Sequence, residues 1–556
     1  MAVQFFIVVS VVIRVILTRH PPGSSFAWIL LTVVLPYVGF FLYLMLGERP
    51  IGRLRARLLR HATHYWGRLS QVRSPPLGPL PYHLVRHRTY IHLASKLAGM
   101  PVMGGSAVSL KASAAETIAA LQKDIQNARY SIEMEFYIWE EGGSVDVIID
   151  ALFAARRRGV SVRLLVDDFG SRNFLRSNAR RDLEAAGVEI ASAMPMRLLQ
   201  LFDLQRADIR LHRKTVVIDG SIAYTGSFNM IEPHSYAEAK VIGSWIDAMV
   251  RIEGPGAKML EAVWRFDWAL QPDGTPLDFD GDFSQMRIPS MGSATLVAVP
   301  SGPYQSGDRN LLLILETISH AEHSLSITTP YFIPTESVVS ALLNAALRGV
   351  DVRLIVPIEA DNAFVNWAMR RYFDDLLQGG IRILRYQGGL LHTKSIVVDD
   401  EFAVFGTLNI DNRSLHLNFE LMMVIFDDEF VASLKQLHRT YEAKCIEVSP
   451  QEWRQRPLSN RLKEGAAYLI SPLLEMERRR NRRFPIQIPV KRWASRRESL
   501  FRWAAADFLQ CLPHPACVGV AAVRFLLREP LHVHKPFPTA SSRCEIVLGQ
   551  CVVLPP

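Results

Sequence analysis

Two stretches of this sequence follow one pattern 180 residues apart: His212, Lys214 and Asp219 in the first, His392, Lys394 and Asp399 in the second, each spaced HxKxxxxD. Seven residues beyond each aspartate stands a glycine, then a small hydroxyl residue and, two further on, an asparagine. These are Gly226, Ser227 and Asn229 in one copy and Gly406, Thr407 and Asn409 in the other. A single HxK has no diagnostic value, because a histidine on a strand is more often a packing residue than a catalyst. Two copies with the same internal spacing require a chain that folds as a repeat, with both copies serving one function.

The surroundings repeat as well. Residues 131–138 read as a strand, 145–157 as a helix and 160–166 as a second strand. Residues 325–333, 338–347 and 350–356 echo them, and Arg158-Gly159-Val160 has its counterpart in Arg348-Gly349-Val350. Strands alternating with helices of this length predict crossover units on a mixed or parallel sheet, hence an α/β fold. The Pro, Gly and Asp residues of 271–293 mark a linker, which places one repeat at 90–280 and the other at 281–450. Residues 451–556 open with a helical stretch to about Leu474 and continue without sustained periodicity, as a loosely ordered extension. Cys445, Cys511, Cys517, Cys544 and Cys551 lack CxxC spacing, so neither a disulfide framework nor a metal site is expected.

Two residues apart on a strand, His and Lys leave the same face and can converge on one phosphate. Asp219-Gly220 and Asp399-Asp400 read as hairpin turns, so the two aspartates serve either the site or the turn. The returning strands would bring Asn229 and Asn409 back as amide donors, with Ser227 and Thr407 beside them as further phosphate ligands. Displacement at a phosphodiester needs a nucleophile on one side and a proton donor on the other, and one HxK offers one imidazole. Two copies related by an approximate twofold axis supply both, and no cofactor is called for. Each imidazole also needs an acid on its far nitrogen to fix the tautomer. Glu420, 28 residues after His392, and Asp247, 35 after His212, are the expected orienting residues, with Glu238 and Glu253 as neighbours able to replace Asp247.

The N-terminus points to a membrane. Residues 26–46 form an uninterrupted run of 21 uncharged, mostly apolar residues, and a helix needs about 20 to span a bilayer core. Trp28 and Tyr43 would lie near its two interfaces. Residues 3–17 read as a second, shorter span, in which Arg14 snorkels to the interface. Arg49, Arg53, Arg55, Arg57 and Arg60 follow, which completes an anchoring hairpin over 1–60 and puts the rest of the chain in the cytoplasm. Near the surface each such arginine attracts anionic headgroups by about 1 kcal/mol. The net charge of +9 suits an anionic lipid surface and nucleic acid alike, but apolar spans serve only the first. A scaffold without catalysis would not need His, Lys and Asn in both copies.

The paired segments resemble the signature of the phospholipase D superfamily. Residues 211–220, 223–227, 301–303, 329–332, 409–414 and 417–420, with the apolar N-terminus, are similar to the bacterial cardiolipin synthases from about residue 5 to Leu474. The resemblance implies a duplicated phospholipase D fold with pseudo-twofold symmetry, preceded by a transmembrane helical hairpin in the bacterial inner membrane. It implies phosphatidyl transfer between two phosphatidylglycerol molecules, giving cardiolipin and glycerol. In that scheme His212 is the nucleophile, forming a phosphohistidine, and His392 is the acid and base. The expected partners are phosphatidylglycerol, other anionic phospholipids and the membrane, and not nucleic acid. A phospholipase D that hydrolyses lipid or transfers to another alcohol would use the same residues.

Overall fold

The structure is a computed structural model that describes residues 2–18, 22–47, 82–195, 209–234, 243–271, 288–303, 308–474, 544–547 and 550–553. The arginines at 49–60, most of the linker, the apolar run 196–202, Glu238 and most of the C-terminal extension lie outside the described residues. The chain divides into two compact units, 1–481 and 482–556. In the second, the strands Cys544–Val547 and Gln550–Val553 pair antiparallel.

One 15-stranded sheet organises the first unit. Its first half comprises β1 (Met103–Lys111), β2 (Ser131–Phe136), β3 (Ser161–Asp167), β4 (Glu189–Ala193), β5 (Thr215–Ile218), β6 (Ile222–Gly226) and β8 (Met249–Glu253), with β7 (Trp245–Ile246) outside the sheet. The second half comprises β9 (Ala294–Ser301), β10 (Ser324–Thr328), β12 (Asp351–Pro357), β13 (Arg382–Tyr386), β15 (Ser395–Val398), β16 (Phe402–Gly406), β18 (Glu420–Phe426) and β19 (Cys445–Glu447). Three short strands, β11 (Phe332–Ile333), β14 (Leu390–Leu391) and β17 (Ile410–Asp411), again stand apart. Outward from the β1–β9 seam the order is β1-β8-β6-β5-β2-β3-β4 on one side and β9-β18-β16-β15-β10-β12-β13-β19 on the other. The same plan therefore runs twice: opening strand, closing strand, hairpin, then three parallel strands. The helices Ser144–Arg157 and Glu336–Leu347 make the first crossover of each parallel set, as parallel neighbours require.

Burial explains why β5 and β15 read as short apolar runs rather than alternating ones. Every residue of both is buried, because helices cover the sheet on both faces. The helix Ala257–Ala269 packs on β2, β5 and β6 and reaches β9; the helix Asp428–Glu442 packs on β15, β16 and β18 and reaches β1. Each closing helix thus ties its own repeat to the other. The strand expected over 325–333 stops at Thr328, since Pro330 has no N–H for the ladder, and resumes as β11.

The N-terminus departs from the expected pair of spans. The helix Ala2–Leu17 forms as anticipated, but the longer run divides into Pro22–Val34, Pro36–Leu42 and a π turn, Tyr43–Gly47. Pro36 interrupts the helix, and Gly39 lets the two halves close up, since a Cβ there would lie 2.6 Å from the Thr32 Cα. In a straight helix Trp28 and Tyr43 would be roughly 22 Å apart; instead their rings meet edge to face at 5.4 Å and are buried. The residues expected at opposite interfaces hold a folded-back helical cluster together. Among the described residues no helix is long and apolar enough to cross a membrane. The cluster's exterior is nevertheless apolar, with Phe5, Phe6, Leu17, Phe26, Leu30 and Val34 exposed.

Candidate active site

His212 and Lys214 lead into β5, and His392 and Lys394 lead into β15. What they meet is decided by two small cross-repeat ladders. Leu211 forms a parallel bridge with Phe419, and the His212 N–H donates to the Phe419 carbonyl at 3.0 Å. In the twin arrangement β14 pairs in parallel with β7, and the His392 N–H donates to the Ile246 carbonyl at 2.9 Å. Each histidine is therefore stitched beside the residue that precedes the other repeat's carboxylate.

The carboxylates consequently cross over. Glu420 lies 2.9 and 3.0 Å from Nδ1 of His212, and Asp247 lies 2.7 Å from Nδ1 of His392. Both expected orienting acids contact an imidazole, each that of the opposite repeat. All four residues are buried. The arrangement fixes Nδ1–H as the donor to the carboxylate and presents Nε2 for chemistry.

Ser227 and Thr407, expected on phosphate, are occupied elsewhere. Thr407 donates to Glu420 Oε2 at 2.5 Å, and Ser227 supports Asp247 while its Oγ accepts from the Ala248 N–H at 3.0 Å. Each lies one residue past the glycine that ends its hairpin, where the closing strand presents the carboxylate. Asn229 Oδ1 accepts from the Ile138 N–H at 3.3 Å, leaving its amide N–H groups for another acceptor. Asn409 is buried; its side chain supports Asp411, and its Oδ1 has no partner among the described residues.

Asp219 and Asp399, grouped by motif with the histidines and lysines, stand at the far ends of β5 and β15. Five residues of strand from the lysine carry each roughly 16 Å from the site. Asp219 accepts from the N–H groups of Arg129, Tyr130 and Ser131 at 2.7–2.9 Å, and Asp399 from those of Glu322, His323 and Ser324 at 2.6–2.8 Å. Positive φ at Asp219 (51°), Gly220 (60°), Asp399 (50°) and Asp400 (61°) makes these the hairpin turns that the sequence indicated. Their carboxylates anchor β2 and β10 and do not reach the reacting face.

The reacting face itself is strongly desolvated. Burial pushes the His212 imidazole down to about 4, against the pull of Glu420, and the His392 imidazole down to about 3, with Lys394 adding to the effect. Burial likewise lowers Lys214 to about 8 and holds Lys394 well below the usual ammonium range. For Asp247 burial acts upward, but His392 and Lys394 outweigh it and the carboxyl is held below its ordinary value. Each lysine depresses the other repeat's histidine, so the two halves share one field. Burial thus favours neutral imidazoles and disfavours the ammonium form of both lysines, and an arriving anion would favour their charged forms.

Several participants had no motif to betray them. The Tyr137 ring stands edge-on to His212 at 5.1 Å, with Lys214 Nζ 5.4 Å from its centre, and Trp245 packs on His392 at 4.3 Å. Asp167, at the end of β3, accepts from the Leu211 N–H at 3.0 Å and fixes the approach to His212; burial raises it to about 6. Arg213, between the motif's His and Lys, turns to the opposite side and ties Asp267 to the carbonyls of Ser301 and Glu420 across the repeats. Only position signals them: Tyr137 and Asp167 stand at the C-terminal ends of strands, Arg213 inside the motif and Trp245 two residues before Asp247.

Comparison with known proteins meets this geometry. The family described as "Cardiolipin synthase, PLD-like domain" matches twice, over residues 121–239 and 314–440, and "Phospholipase_D-nuclease N-terminal" matches residues 6–48. Cardiolipin synthase A of Proteus mirabilis (strain HI4320) is 36% identical over 475 residues, which cover 84% of this chain and 97% of that protein. Cardiolipin synthase A of Yersinia pestis bv. Antiqua (strain Angola) is 37% identical over 483 residues with the same coverage. The chain belongs to the cardiolipin synthase A family. Each matched half of the cardiolipin synthase domain contains one HxK pair, and the crossed acid Asp247 falls just outside the first. Among solved structures, phosphatidylserine synthase of Haemophilus influenzae Rd KW20 shares the fold at TM-score 0.52 and 15% identity, over 70% of this chain and 99% of that one.

Proposed function

We propose that the chain is a membrane-anchored phosphatidyltransferase that condenses two phosphatidylglycerol molecules into cardiolipin and glycerol through a phosphatidyl-histidine. The observation that carries this reading is the pair of crossed dyads, His212 with Glu420 and His392 with Asp247. The two repeats act as one duplicated phospholipase D fold with a single site at their seam. The apolar helical cluster at residues 2–47 anchors them to the bacterial inner membrane, and the arginines at 49–60 favour a cytoplasmic site.

Nε2 of His212 attacks the phosphorus of the first lipid. The bond to the headgroup glycerol breaks as His392 gives its proton to the departing oxygen. His392 then takes the proton of a hydroxyl on the second phosphatidylglycerol; that oxygen attacks phosphorus, and the P–N bond breaks. His392 must carry a proton for the first step, although burial disfavours it in the free protein. The phosphodiester anion supplies the missing counter-charge, and its arrival favours both the imidazolium and the two ammonium groups. Lys214 and Lys394, with Asn229 and Asn409, stabilise charge on the non-bridging oxygens. Exclusion of water lets the lipid hydroxyl compete as acceptor.

The test is incubation of the purified protein in lipid vesicles with phosphatidylglycerol alone, beside His212→Ala and His392→Ala, with products resolved by mass spectrometry. Cardiolipin and glycerol in equal amounts, lost in both variants, is the expected result. Phosphatidic acid without cardiolipin would make the protein a hydrolase.

A further inference from the structure

The helix Leu458–Leu474 buries one carboxylate against the body and leaves an apolar stripe outside. Glu464, buried, accepts from Arg370 Nε at 3.2 Å and Arg456 Nε at 2.9 Å; Ala467 is buried beside it, and Tyr468 meets Tyr372 edge to face at 5.6 Å. With about 100° between successive residues, Leu458, Leu462 and Leu469 fall within roughly 40° of one another on the opposite face. They are 66%, 65% and 72% exposed, and the stripe runs roughly 16 Å along the axis. Exposed Arg461 and Lys463 flank it, and Lys463 Nζ lies 5.4 Å from the ring of exposed Trp367 on the helix Ala363–Arg371. An ordinary surface helix in water turns such a leucine stripe toward the core.

Two connections give the stripe its setting. Its helix touches Pro22–Val34 of the N-terminal cluster, whose exterior is also apolar. It also packs on Ala363–Arg371, which rests on β11; β11 pairs with β17, which begins directly after Asn409. The helix that carries the stripe thus links the apolar anchor to an element next to the candidate site.

We propose that the face formed by Leu458, Leu462, Leu469 and Trp367 is an interfacial docking surface that lies at the boundary of headgroups and acyl chains of an anionic bilayer, beside the second repeat's side of the site. The leucines enter the acyl boundary, Trp367 sits at headgroup level, and Arg461 and Lys463 meet the anionic headgroups. A lipid surface suits this face better than a second copy of the chain, because the leucines continue the cluster's apolar exterior and the basic flanks complement anionic lipid. The inference rests on the membrane-anchored reading above.

The two are tested apart by placing a benzophenone amino acid at one position at a time in the full-length protein, reconstituted in vesicles of phosphatidylglycerol and phosphatidylcholine. After irradiation, adducts are identified by mass spectrometry. Positions 33, 462 and 469 are expected to capture acyl chains, and position 347, still more exposed on Glu336–Leu347, is not. Capture at 33 with only protein adducts or none at 462 and 469 overturns the docking surface and leaves the anchor standing. No capture at 33 overturns the membrane reading itself. In parallel, Leu462→Ser/Leu469→Ser is expected to lower turnover at least threefold on vesicles and to leave turnover of dispersed short-chain phosphatidylglycerol unchanged. An equal loss on both substrates, or none on either, refutes docking.

Discussion

Glu420→Gln isolates the crossed arrangement. The substitution preserves shape and removes the anion that lies 2.9 Å from His212 Nδ1 in a fully buried setting. When His212 bonds to phosphorus its ring becomes cationic. At about 4 Å between charge centres and an effective dielectric constant of about 20, the lost attraction is about 4 kcal/mol. An amide can also offer N–H to Nδ1 and so favour the wrong tautomer. At about 1.4 kcal/mol per decade the expected loss is about 10³-fold in kcat, with KM little changed, because Glu420 orients the histidine and does not hold the lipid. Phosphatidyl-p-nitrophenol, whose leaving group needs no proton, reports the first step as a burst of nitrophenolate. Glu420→Gln should slow the burst, and Asp247→Asn should spare it and slow the release of the phosphatidyl group. A Glu420→Gln burst within threefold of the parent, or a burst slowed by Asp247→Asn instead, would refute the crossed assignment.

Two other predictions concern support rather than chemistry. Asp399→Ala leaves three backbone N–H groups without their carboxylate and should lower stability by about 2 kcal/mol, since these partly exposed groups can turn to water. Denaturant unfolding with activity per folded molecule checks this, and a stable but inactive variant would contradict it. His438 is buried between Ser326 Oγ and Ser395 Oγ, at 2.8 Å from each, and burial pushes it down to about 3. Its unfolded value is about 6.5, so its contribution is present above that pH and is lost as pH falls toward about 3. His438→Gln keeps a donor and an acceptor and removes the titration. Stability measured from pH 7 to 4 should then fall less steeply, by about 1.4 kcal/mol per pH unit; an unchanged slope would contradict the reading.

The repeat was legible because spacing along a strand is local. His and Lys on one face, the turns at Asp219-Gly220 and Asp399-Asp400, and the crossover units all follow from a few consecutive residues. The crossing of Glu420 and Asp247 was not legible. It depends on a single bridge, Leu211 with Phe419, and on the two-residue ladder of β7 with β14, contacts too short to leave a pattern. The neighbours of Ser227 and Thr407 in sequence point their hydroxyls to phosphate, whereas carboxylates at or just before the closing strands meet them. At the N-terminus hydropathy indicates the apolar exterior and misses the path of the chain: Pro36 and Gly39 fold back a run that composition reads as straight. Asp167 and Arg213 escaped because a buried charge that fixes backbone has no sequence signature apart from its position.

The most direct test of a single site with a covalent intermediate is the reaction of His392→Ala with phosphatidyl-p-nitrophenol. Lacking the base for the second step but needing no acid for the first, this variant should release one equivalent of nitrophenolate and stop, with the phosphatidyl group on His212 when the protein is digested under alkaline conditions and sequenced by mass spectrometry. His212→Ala should give no burst. A burst from His212→Ala with the adduct on His392 would reverse the roles of the two histidines, and continued turnover by either variant without an adduct would contradict the phosphatidyl-histidine account.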